Sequence, residues 1–491
     1  MPTFSFAALL TLAAAFGCVA ATSTAQNNSI CFAIQDAISA QSVVAFPGQV
    51  QYTQDQAHYF NSSTQTSLCT VEPGSASDVS RIIKLLGDAR EPFAIKGGGH
   101  TGNPGFSSSP GVLISLSRFD AVTYHASNQT VDIGVGLLWE EVYQQLEVHN
   151  RTVVGGRIPG IGVAGLTLGG GYSWLSNEYG LVVDTAVGFE VVLPSGEIVQ
   201  ASTESNPDLF FALKGGFNNF GIVTQITLQT VPIGQVWGGI SIATGDQLNA
   251  SVAALNGFVA TVTDPKAAII VSFVTIPGEL LVTMELFYNG PTPPPGVFDA
   301  FVAIPAVEQD LQTRSYLSLV LAQPAGPNAG PTTRGFFNTA AISAPTPPIV
   351  DAIVNETIFW SNQLANVSAA NIAYAIEVFL PSVLGHAPEG SSAYPPTRST
   401  GILPLTINYQ FASATDDALV SSAIVSSAAQ LGRVAEALGQ PVDEVPVYGN
   451  YATPGSFSAD RVFGASLPRL TNVQKKFDPR GVMRLTGGWK V

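Results

Sequence analysis

Two glycine-rich stretches constrain this chain more than any other feature of its sequence. The first, "KGGGHTG" at residues 96–102, follows a strand-like run over residues 92–96 and contains one of only five histidines. Because glycine has no Cβ, successive backbone N–H groups can turn toward one ligand and form a nest for an anion. The chain carries 20 Lys and Arg against 35 Asp and Glu, so few cationic side chains are left for that task. The stretch predicts a backbone-lined phosphate site, with a plain glycine-rich turn as the alternative.

The second stretch, residues 155–171, reads "GGRIPGIGVAGLTLGGG" and contains a formal G-x-G-x-x-G at Gly160, Gly162 and Gly165. That spacing marks nicotinamide dinucleotide sites when it joins a strand to a helix. Here no clear strand precedes it, and the triple glycine at 169–171 would break the helix that follows. Asp184 stands at a suitable distance, but no βαβ rhythm surrounds it. We therefore reject a nicotinamide site.

Hydrophobic periodicity indicates an alternating α+β unit in the first half. A helix is predicted where four apolar residues recur at helical spacing, at Val79, Ile82, Ile83 and Leu86. A second helix follows over 137–150 and a third over 207–216, while residues 187–202 read as a hairpin that turns at 194–196. The other strand-like runs are 111–119, 130–136 and 220–231.

The composition changes after about residue 235. Proline-rich connectors separate strand-like runs that include "AAIIVSFVTI", "LLVTMELFY", "NIAYAIEVFL" and "LPLTINYQF". A long alanine-rich helix is predicted over 413–438, so this half suggests an antiparallel sheet with helices on one face. A last helix near the C-terminus has Leu470, Val473 and Phe477 on one side.

The N-terminus predicts secretion. Residues 1–26 carry no charged side chain and hold an apolar run that ends in small residues, which is typical of a cleaved signal. A membrane anchor is the alternative, but the run is short for one. We place the signal at 1–21 and expect a soluble extracellular protein. No basic run occurs, which argues against nucleic acid and anionic membrane surfaces as partners.

Cysteines and sequons agree with an extracellular location. Cys18 leaves with the signal, so Cys31 and Cys69 remain as one possible pair. A bridge between them would close about 40 residues and add roughly 3–4 kcal/mol in the loop-entropy model. Seven N-x-S/T sequons predict a glycoprotein, at Asn27, Asn61, Asn128, Asn150, Asn249, Asn355 and Asn366.

Four segments in order resemble one known family. They are "IKGGGHTGNPGFSSSPGVLISLSRFD", "GRIPGIGVAGLTLGGGYSWLSNEYGLVVDTAVGFEVVLPSGEIV", "NPDLFFALKGGFNNFGIVTQITLQ", and "YGNY" with "RLTNVQKKFDPRGVM" near the end. Together they resemble the vanillyl-alcohol-oxidase-type flavoproteins with a PCMH-type FAD-binding domain, and among them the berberine-bridge-enzyme-like group. The resemblance implies an α+β fold: a bipartite FAD-binding domain of two α/β subdomains with an inserted antiparallel-sheet substrate domain. It places the FAD-binding domain at 22–235 (core about 65–233), the substrate domain at 236–440 and a returning C-terminal element at 441–491.

The resemblance also implies how FAD is held. His100 would join covalently to the flavin 8α-methyl, although a histidine that only hydrogen-bonds in a turn is the alternative. The cysteine that makes a second link in many relatives aligns with Ile158, so we expect a single covalent bond. The remaining cofactor-binding residues implied are Lys96, Gly97, Gly98, Gly99, Thr101, Gly102, Gly160, Gly162, Val163, Gly165, Leu166, Gly169, Gly170, Gly171, Tyr172, Gly221, Ile222, Val223 and Asn450.

Hydride transfer to flavin needs a base for the substrate O–H or N–H proton. The resemblance points to Tyr451 as that base, with Tyr448 beside it; stacking of both tyrosines in a strand is the alternative. A free tyrosine has a pKa near 10, so a lowered pKa is expected. The substrate sheet offers Glu377 and Tyr409 with equal claim to assist, and Tyr374 after them.

The implied function is a secreted FAD-linked oxidoreductase that oxidises C–OH or C–N bonds of a small molecule. A secondary metabolite is preferred over the C1 hydroxyl of a sugar, and a non-catalytic flavin carrier is the alternative from another class. Ile161 falls where relatives admit or exclude oxygen, and it is neither the usual valine nor leucine. Reoxidation by O2 or by another acceptor therefore stays open. A monomer is expected, and the other histidines, His58, His125, His149 and His386, show no metal spacing.

Overall fold

A computed structural model describes residues 29–323 and 333–491. The predicted signal at 1–21, Cys18 and the Asn27 sequon lie outside the described residues. Cys31 and Cys69 form a disulfide with an Sγ–Sγ distance of 2.06 Å. The pairing that the cysteine count left possible is confirmed, and it ties the first described helix to the first sheet.

The first sheet has four strands in the order β1-β2-β4-β3, and β4 runs parallel to both of its neighbours. The helix between β2 and β3 begins where the Ser75 side chain accepts from the Asp78 amide, and all four predicted apolar residues on it are buried. Because β3 ends at Lys96, the first glycine stretch starts at the carboxyl end of a parallel strand. The elements are α1 Ser29–Ala37, β1 Val43–Ala45, α2 Val50–Gln56, β2 Cys69–Glu72, α3 Ala76–Ala89, β3 Phe93–Lys96 and β4 Val112–Ser115.

The second sheet is antiparallel, with five strands in the order β5-β6-β10-β8-β9. The predicted hairpin is its β8–β9 pair, in which Val192 lies opposite Ile198. Its elements and the short helices around it are β5 Val122–His125, β6 Thr130–Gly134, α4 Trp139–Glu147, β7 Arg151–Thr152, α5 Val163–Leu168, α6 Ser176–Tyr179, α7 Val182–Thr185, β8 Ala186–Val192, β9 Ile198–Ala201, α8 Pro207–Leu213, β10 Ile222–Gln229 and β11 Val231–Pro232, which pairs with β7.

The third sheet has seven antiparallel strands in the order β15-β12-β14-β13-β17-β18-β16. The runs singled out in the sequence form β13, β14, β17 and β18, whereas β12, β15 and β16 are additions from the structure. The elements are β12 Val236–Thr244, α9 Leu248–Thr261, β13 Ala267–Ile276, β14 Glu279–Tyr288, α10 Asp299–Val302, β15 Glu308–Arg314, α11 Tyr316–Leu321, β16 Arg334–Asn338, α12 Pro347–Gln363, β17 Asn371–Val378, β18 Leu405–Phe411 and α13 Asp417–Ala437.

Helices α9, α12 and α13 bury one face of this sheet in a core of its own. Residues 414–437 are long and apolar enough to cross a membrane by length and composition alone. Val420, Ile424 and Leu431 on this helix are buried in that core, so α13 is a core helix of the sheet. The opposite face of the sheet is left to meet the first half of the chain.

The C-terminal residues return to the first half. Helices α14 Ala459–Phe463 and α15 Leu467–Phe477 follow α13, and Leu470 and Val473 are buried in the same core as the first two sheets, as predicted. Asn219, in the first half, donates its side-chain N–H to the Trp489 carbonyl at 2.8 Å. The α+β prediction is confirmed, and the chain's last residues come back to its first half.

Candidate active site

A cavity of about 490 Å³ lies where the two glycine stretches, the seven-stranded sheet and the C-terminal segment meet. Most predicted site residues line it. The first half contributes Gly97, Gly98, Gly99, His100, Thr101, Gly162, Gly165, Leu166, Tyr172, Gly221, Ile222 and Val223, and the later parts contribute Glu377, Tyr448, Asn450 and Tyr451.

The two glycine stretches touch each other at the cavity wall. A Cβ on Gly98 would lie 2.7 Å from the backbone N and Cα of Gly162, and a Cβ on Gly162 would lie 2.5 Å from the backbone N of Gly98. Carbon atoms do not approach backbone this closely, so only glycine fits at either position. The glycines are therefore required by the approach of one loop to the other.

His100 is held between two aromatic rings. Its imidazole lies 4.0 Å from the Tyr59 ring and stacks on Phe337 at 5.7 Å, measured between ring centroids. Its Nδ1 atom is buried and has no hydrogen-bond partner among the described residues. Burial lowers the pKa of His100 to about 4, although a hydrogen bond to the Gly160 backbone opposes that shift. The imidazole is therefore neutral near pH 7, with a free nitrogen beside the cavity.

Tyr451, Glu377 and Arg157 form one cluster at the cavity, in which Arg157 and Glu377 are buried and Tyr451 is partly buried. The Tyr451 hydroxyl donates to Glu377 Oε1 at 2.8 Å. Arg157 Nη2 donates to Glu377 Oε2 at 2.5 Å and to Tyr451 Oη at 3.0 Å. Thr406 also donates to Glu377 Oε1, at 2.8 Å. Both oxygens of this carboxylate are thus fixed by hydrogen bonds.

The pKa of Tyr451 lies well above its usual value, which contradicts the expected lowering. Burial raises it most and the Glu377 charge raises it further, while Arg157 lowers it. Tyr451 is accordingly a neutral phenol whose proton points at a carboxylate. The phenol is therefore a hydrogen-bond donor to Glu377.

Aromatic and amide groups support the cluster from the C-terminal side. The Tyr448 ring packs edge-on against Tyr451 at 4.7 Å and Tyr172 at 4.9 Å. Asn450 donates to the Tyr448 hydroxyl at 3.0 Å, and a Cβ on Gly169 would lie 2.3 Å from Asn450. Burial raises the pKa of Tyr448 to about 12, so it remains protonated.

Several predicted residues stand behind the cavity wall instead of lining it. Gly170 and Gly171 have positive φ and pack against Tyr394 and Val182. Lys96 is buried near Asp55 and Glu72, whose charges oppose the lowering of its pKa by burial. These residues and Gly102, Gly160, Val163 and Gly169 do not line the cavity in the described part of the chain.

Tyr409 lies on the wrong face of the sheet to assist the base, which corrects the expectation. Side chains alternate along a strand, so Thr406 and Asn408 of β18 line the cavity while Tyr409 points to the helices. Its hydroxyl hydrogen-bonds Tyr374 at 2.5 Å, on the same buried face, and Tyr374 in turn contacts Ser427 of α13. Of the sheet candidates, only Glu377 reaches Tyr451.

Sequence reasoning missed two charged residues. Arg157 lies 6.0 Å from the Trp174 ring centroid and 5.6 Å from that of Phe379, which fixes its side chain beside Glu377. Glu285 lies on β14 and lines the cavity. Arg157 is the only charged residue in "GGRIPGIG", and Glu285 is the only charged residue in "LLVTMELFY". A single charge in an otherwise uncharged run is the sequence signal that could have identified them.

Comparisons with known sequences show FAD-dependent relatives. A family model described as an FAD binding domain matches residues 67–202. The chain is 31% identical over 474 residues to the FAD-dependent monooxygenase sdcF of Emericella nidulans, covering 91% of this chain and 95% of that protein. It is 41% identical over 304 residues to an uncharacterised FAD-linked oxidoreductase of Arthroderma benhamiae, covering 60% of each. It is 38% identical over 289 residues to the bifunctional solanapyrone synthase of Alternaria solani, covering 58% of this chain and 56% of that protein.

The last two alignments span little more than half the length of those relatives, 60% and 56%.

Solved structures share the fold along nearly the whole chain. Glucooligosaccharide oxidase from Acremonium strictum superposes with a TM-score of 0.75 at 20% identity, over 94% of this chain and 98% of that one. The 6-hydroxy-D-nicotine oxidase of Arthrobacter nicotinovorans gives a TM-score of 0.76 at 18% identity, over 92% and 98%. The chain therefore belongs to the FAD-linked oxidoreductases, and it shares the fold of a solved berberine-bridge-enzyme-like protein.

Proposed function

We propose that this protein oxidises a C–OH or C–N bond of a small molecule and passes the hydride to an FAD that His100 alone holds covalently. One observation carries the proposal. The free, buried Nδ1 of His100 and the Tyr451–Glu377 pair belong to the same cavity, whose wall includes the glycine backbone of both stretches. An attachment point and a proton acceptor are thus combined in one site.

The residues present fit FAD. Gly97, Gly98, Gly99 and Gly162 supply the cradle that side chains would fill, and the neutral His100 supplies a nucleophilic nitrogen. FAD, when bound, supplies the acceptor for the substrate hydride. The name of the Acremonium oxidase describes an FAD with both a cysteinyl and a histidyl link. Ile158 lines this cavity and carries no thiol, and Cys31 is bonded to Cys69, which supports a single link here.

The chain's own groups handle the proton. Tyr451 Oη contacts the substrate O–H or N–H and accepts its proton while its own proton moves to Glu377 Oε1. Arg157 hydrogen-bonds both partners and holds the carboxylate in place. Because the pKa of Tyr451 stays high, this coupled transfer avoids a free phenolate in the buried site.

A secondary metabolite is the better supported substrate class. The sheet surface that faces the cavity presents the apolar side chains of Ile270, Val274, Ala373 and Ala375, with the small hydroxyls of Ser272 and Thr283 among them. A flat apolar skeleton fits such a surface better than a sugar, which prefers aromatic platforms and many polar partners. The solanapyrone synthase, named for a metabolite product, supports the same class.

We further propose that residues 22–235 and 441–491 form the FAD-binding domain and 236–440 the substrate domain. The sheets support this division, because the seven-stranded sheet contains only strands β12 to β18.

We also propose that the protein is secreted and glycosylated. All six sequon asparagines in the described residues are exposed, and a disulfide suits an oxidising compartment. We also propose that O2 reoxidises the flavin. Ile161, at the position where relatives admit or exclude oxygen, lines the cavity.

The experiment is an anaerobic screen of alcohols, amines and sugars against the purified protein. A substrate bleaches the yellow absorbance of the oxidised flavin. Bleaching by apolar alcohols or amines supports the proposal, and bleaching by oligosaccharides alone would replace it with the carbohydrate activity. A protein that stays yellow with every compound would be a flavin carrier. Peroxide release in air then tests reoxidation by O2.

A further inference from the structure

One carboxylate in the cavity takes no part in the proposed proton transfer. Glu285 on β14 is only 6% exposed, and it lines the cavity. Its Oε2 atom is buried and has no hydrogen-bond partner in the part of the chain that the structure describes. Burying a carboxylate oxygen without a partner is unfavourable. This atom is therefore suited to a donor group that a bound molecule brings.

The register of the sheet places Glu285 in one row with Glu377. Ile270 of β13 lies opposite Glu285 on one side and opposite Glu377 on the other. Both glutamates line the same cavity, and their backbones lie two strand spacings apart, about 10 Å. One small molecule can thus contact Tyr451 at one end and Glu285 at the other, with Ile270 between them.

The charges in the cavity favour a cation at Glu285. Arg157 and Glu377 are the charged groups that act on it, and they already pair with each other at 2.5 Å. Burial raises the pKa of Glu285 to about 7; Glu377 adds to this rise and Arg157 opposes it. An ionised Glu285 would be a buried charge without a partner, which a positively charged donor would supply.

We propose that Glu285 is a specificity-determining residue that binds a protonated amine of the substrate through its free Oε2 atom. The inference rests on the proposed function in one respect, namely that the molecule bound in this cavity is the one oxidised. It narrows the substrate class to compounds with a basic nitrogen at the end of the molecule away from the reacting carbon.

The test uses benzylamine and its uncharged isostere benzyl alcohol as probes of the yellow holoprotein at neutral pH, where benzylamine is protonated. Binding is followed by the change in the flavin visible spectrum. We expect benzylamine to bind wild-type protein at least about tenfold more tightly than benzyl alcohol. Glu285→Gln should weaken benzylamine binding by about tenfold or more and leave benzyl alcohol within about twofold. Glu279→Gln, at the exposed start of the same strand, is the matched control and should change neither.

A second readout does not depend on flavin. At roughly pH 6, Glu285 is largely protonated in the free protein, since its pKa is about 7. Binding of an ammonium favours the ionised carboxylate, so wild-type protein should release protons when benzylamine binds. Calorimetry in two buffers of different ionisation enthalpy measures this release. The Glu285→Gln variant should release none.

Equal affinity of wild-type protein for the two probes would overturn the proposal, as would an unchanged benzylamine Kd in Glu285→Gln. If Glu285→Gln fails to fold, the wild-type calorimetry decides: benzylamine binding without proton release near pH 6 contradicts the role of Glu285. A colourless protein that takes up no FAD would instead refute the proposed function. The calorimetric result is still obtained in that case, so the two failures are distinguishable.

Discussion

Tyr451 donates its hydroxyl proton to Glu377 Oε1 over 2.8 Å, and Arg157 contacts both residues. Three segments far apart in the chain supply these groups: the second glycine stretch, strand β17 and the C-terminal return. Arg157 and Glu377 are buried and Tyr451 is partly buried, so water screens these hydrogen bonds little. In the proposed mechanism the tyrosine and the glutamate act as one proton-handling unit.

Tyr451→Phe should lower the rate of flavin reduction by substrate by about 10²–10⁴-fold, because it removes the proton acceptor and leaves the ring in place. Covalent flavin content should be unchanged, since His100 lies elsewhere in the cavity. Anaerobic stopped-flow absorbance measures the rate. Reduction at the wild-type rate would show that another group takes the proton.

Arg157→Met should destabilise the protein by about 3–5 kcal/mol, because it leaves the Glu377 carboxylate buried without a cation. Adding Glu377→Gln should recover about 1–3 kcal/mol of that loss without restoring activity. Chemical denaturation of the wild type, both single variants and the double variant measures the coupling. Strict additivity of the two changes would mean that the ion pair makes no contribution.

Gly98→Ala should reduce FAD content, because the new Cβ would lie 2.7 Å from the Gly162 backbone. We expect a cost of about 1–3 kcal/mol from the forced separation of the two loops. Gly257→Ala is the matched control: it lies on α9 with no atom within 4 Å of the new Cβ, and it should stabilise by about 0.5–1 kcal/mol. Equal FAD content in both variants would remove the argument for a tight glycine contact.

Attachment of FAD to flavin-free protein should proceed equally well from about pH 5 to pH 8. The pKa of His100 is lowered from 6.5 to about 4, so the neutral imidazole persists down to about pH 4. An ordinary histidine would become protonated below its pKa of about 6.5 and lose its nucleophilic nitrogen there. The measurement is the rate of acid-stable flavin incorporation at each pH. A sharp fall in rate near pH 6.5 would contradict the lowered pKa.

The glycines that line the cavity could be located from the sequence because their signal is local. The spacing of Gly97, Gly98 and Gly99 before His100 implied a backbone cradle, and the structure brings all four to the cavity. The sequence could not predict which segment packs against this first glycine stretch. The contact between Gly98 and Gly162 joins positions 64 residues apart, and no periodicity encodes it.

Strand orientation was the second limit. Helices cover one face of the seven-stranded sheet, and the other face lines the cavity inside the protein. Since neither face is a solvent-exposed surface, the alternation of polar and apolar residues does not mark the functional face. From the sequence, Tyr409 was therefore as plausible as Glu377. The structure shows that Tyr409 faces the helices and that Glu377 faces the cavity. Strand β15, "EQDLQTR", was missed because it is a polar edge strand with no apolar pattern.

The most direct measurement of the central claim is the fate of flavin when the protein is denatured in acid. If His100 is the single attachment point, wild-type precipitate keeps all its yellow colour, and a flavin-bearing peptide contains His100. The His100→Ala precipitate should be white, with its flavin in the supernatant. Colour retained by the His100→Ala variant, or lost entirely by the wild type, would contradict the account.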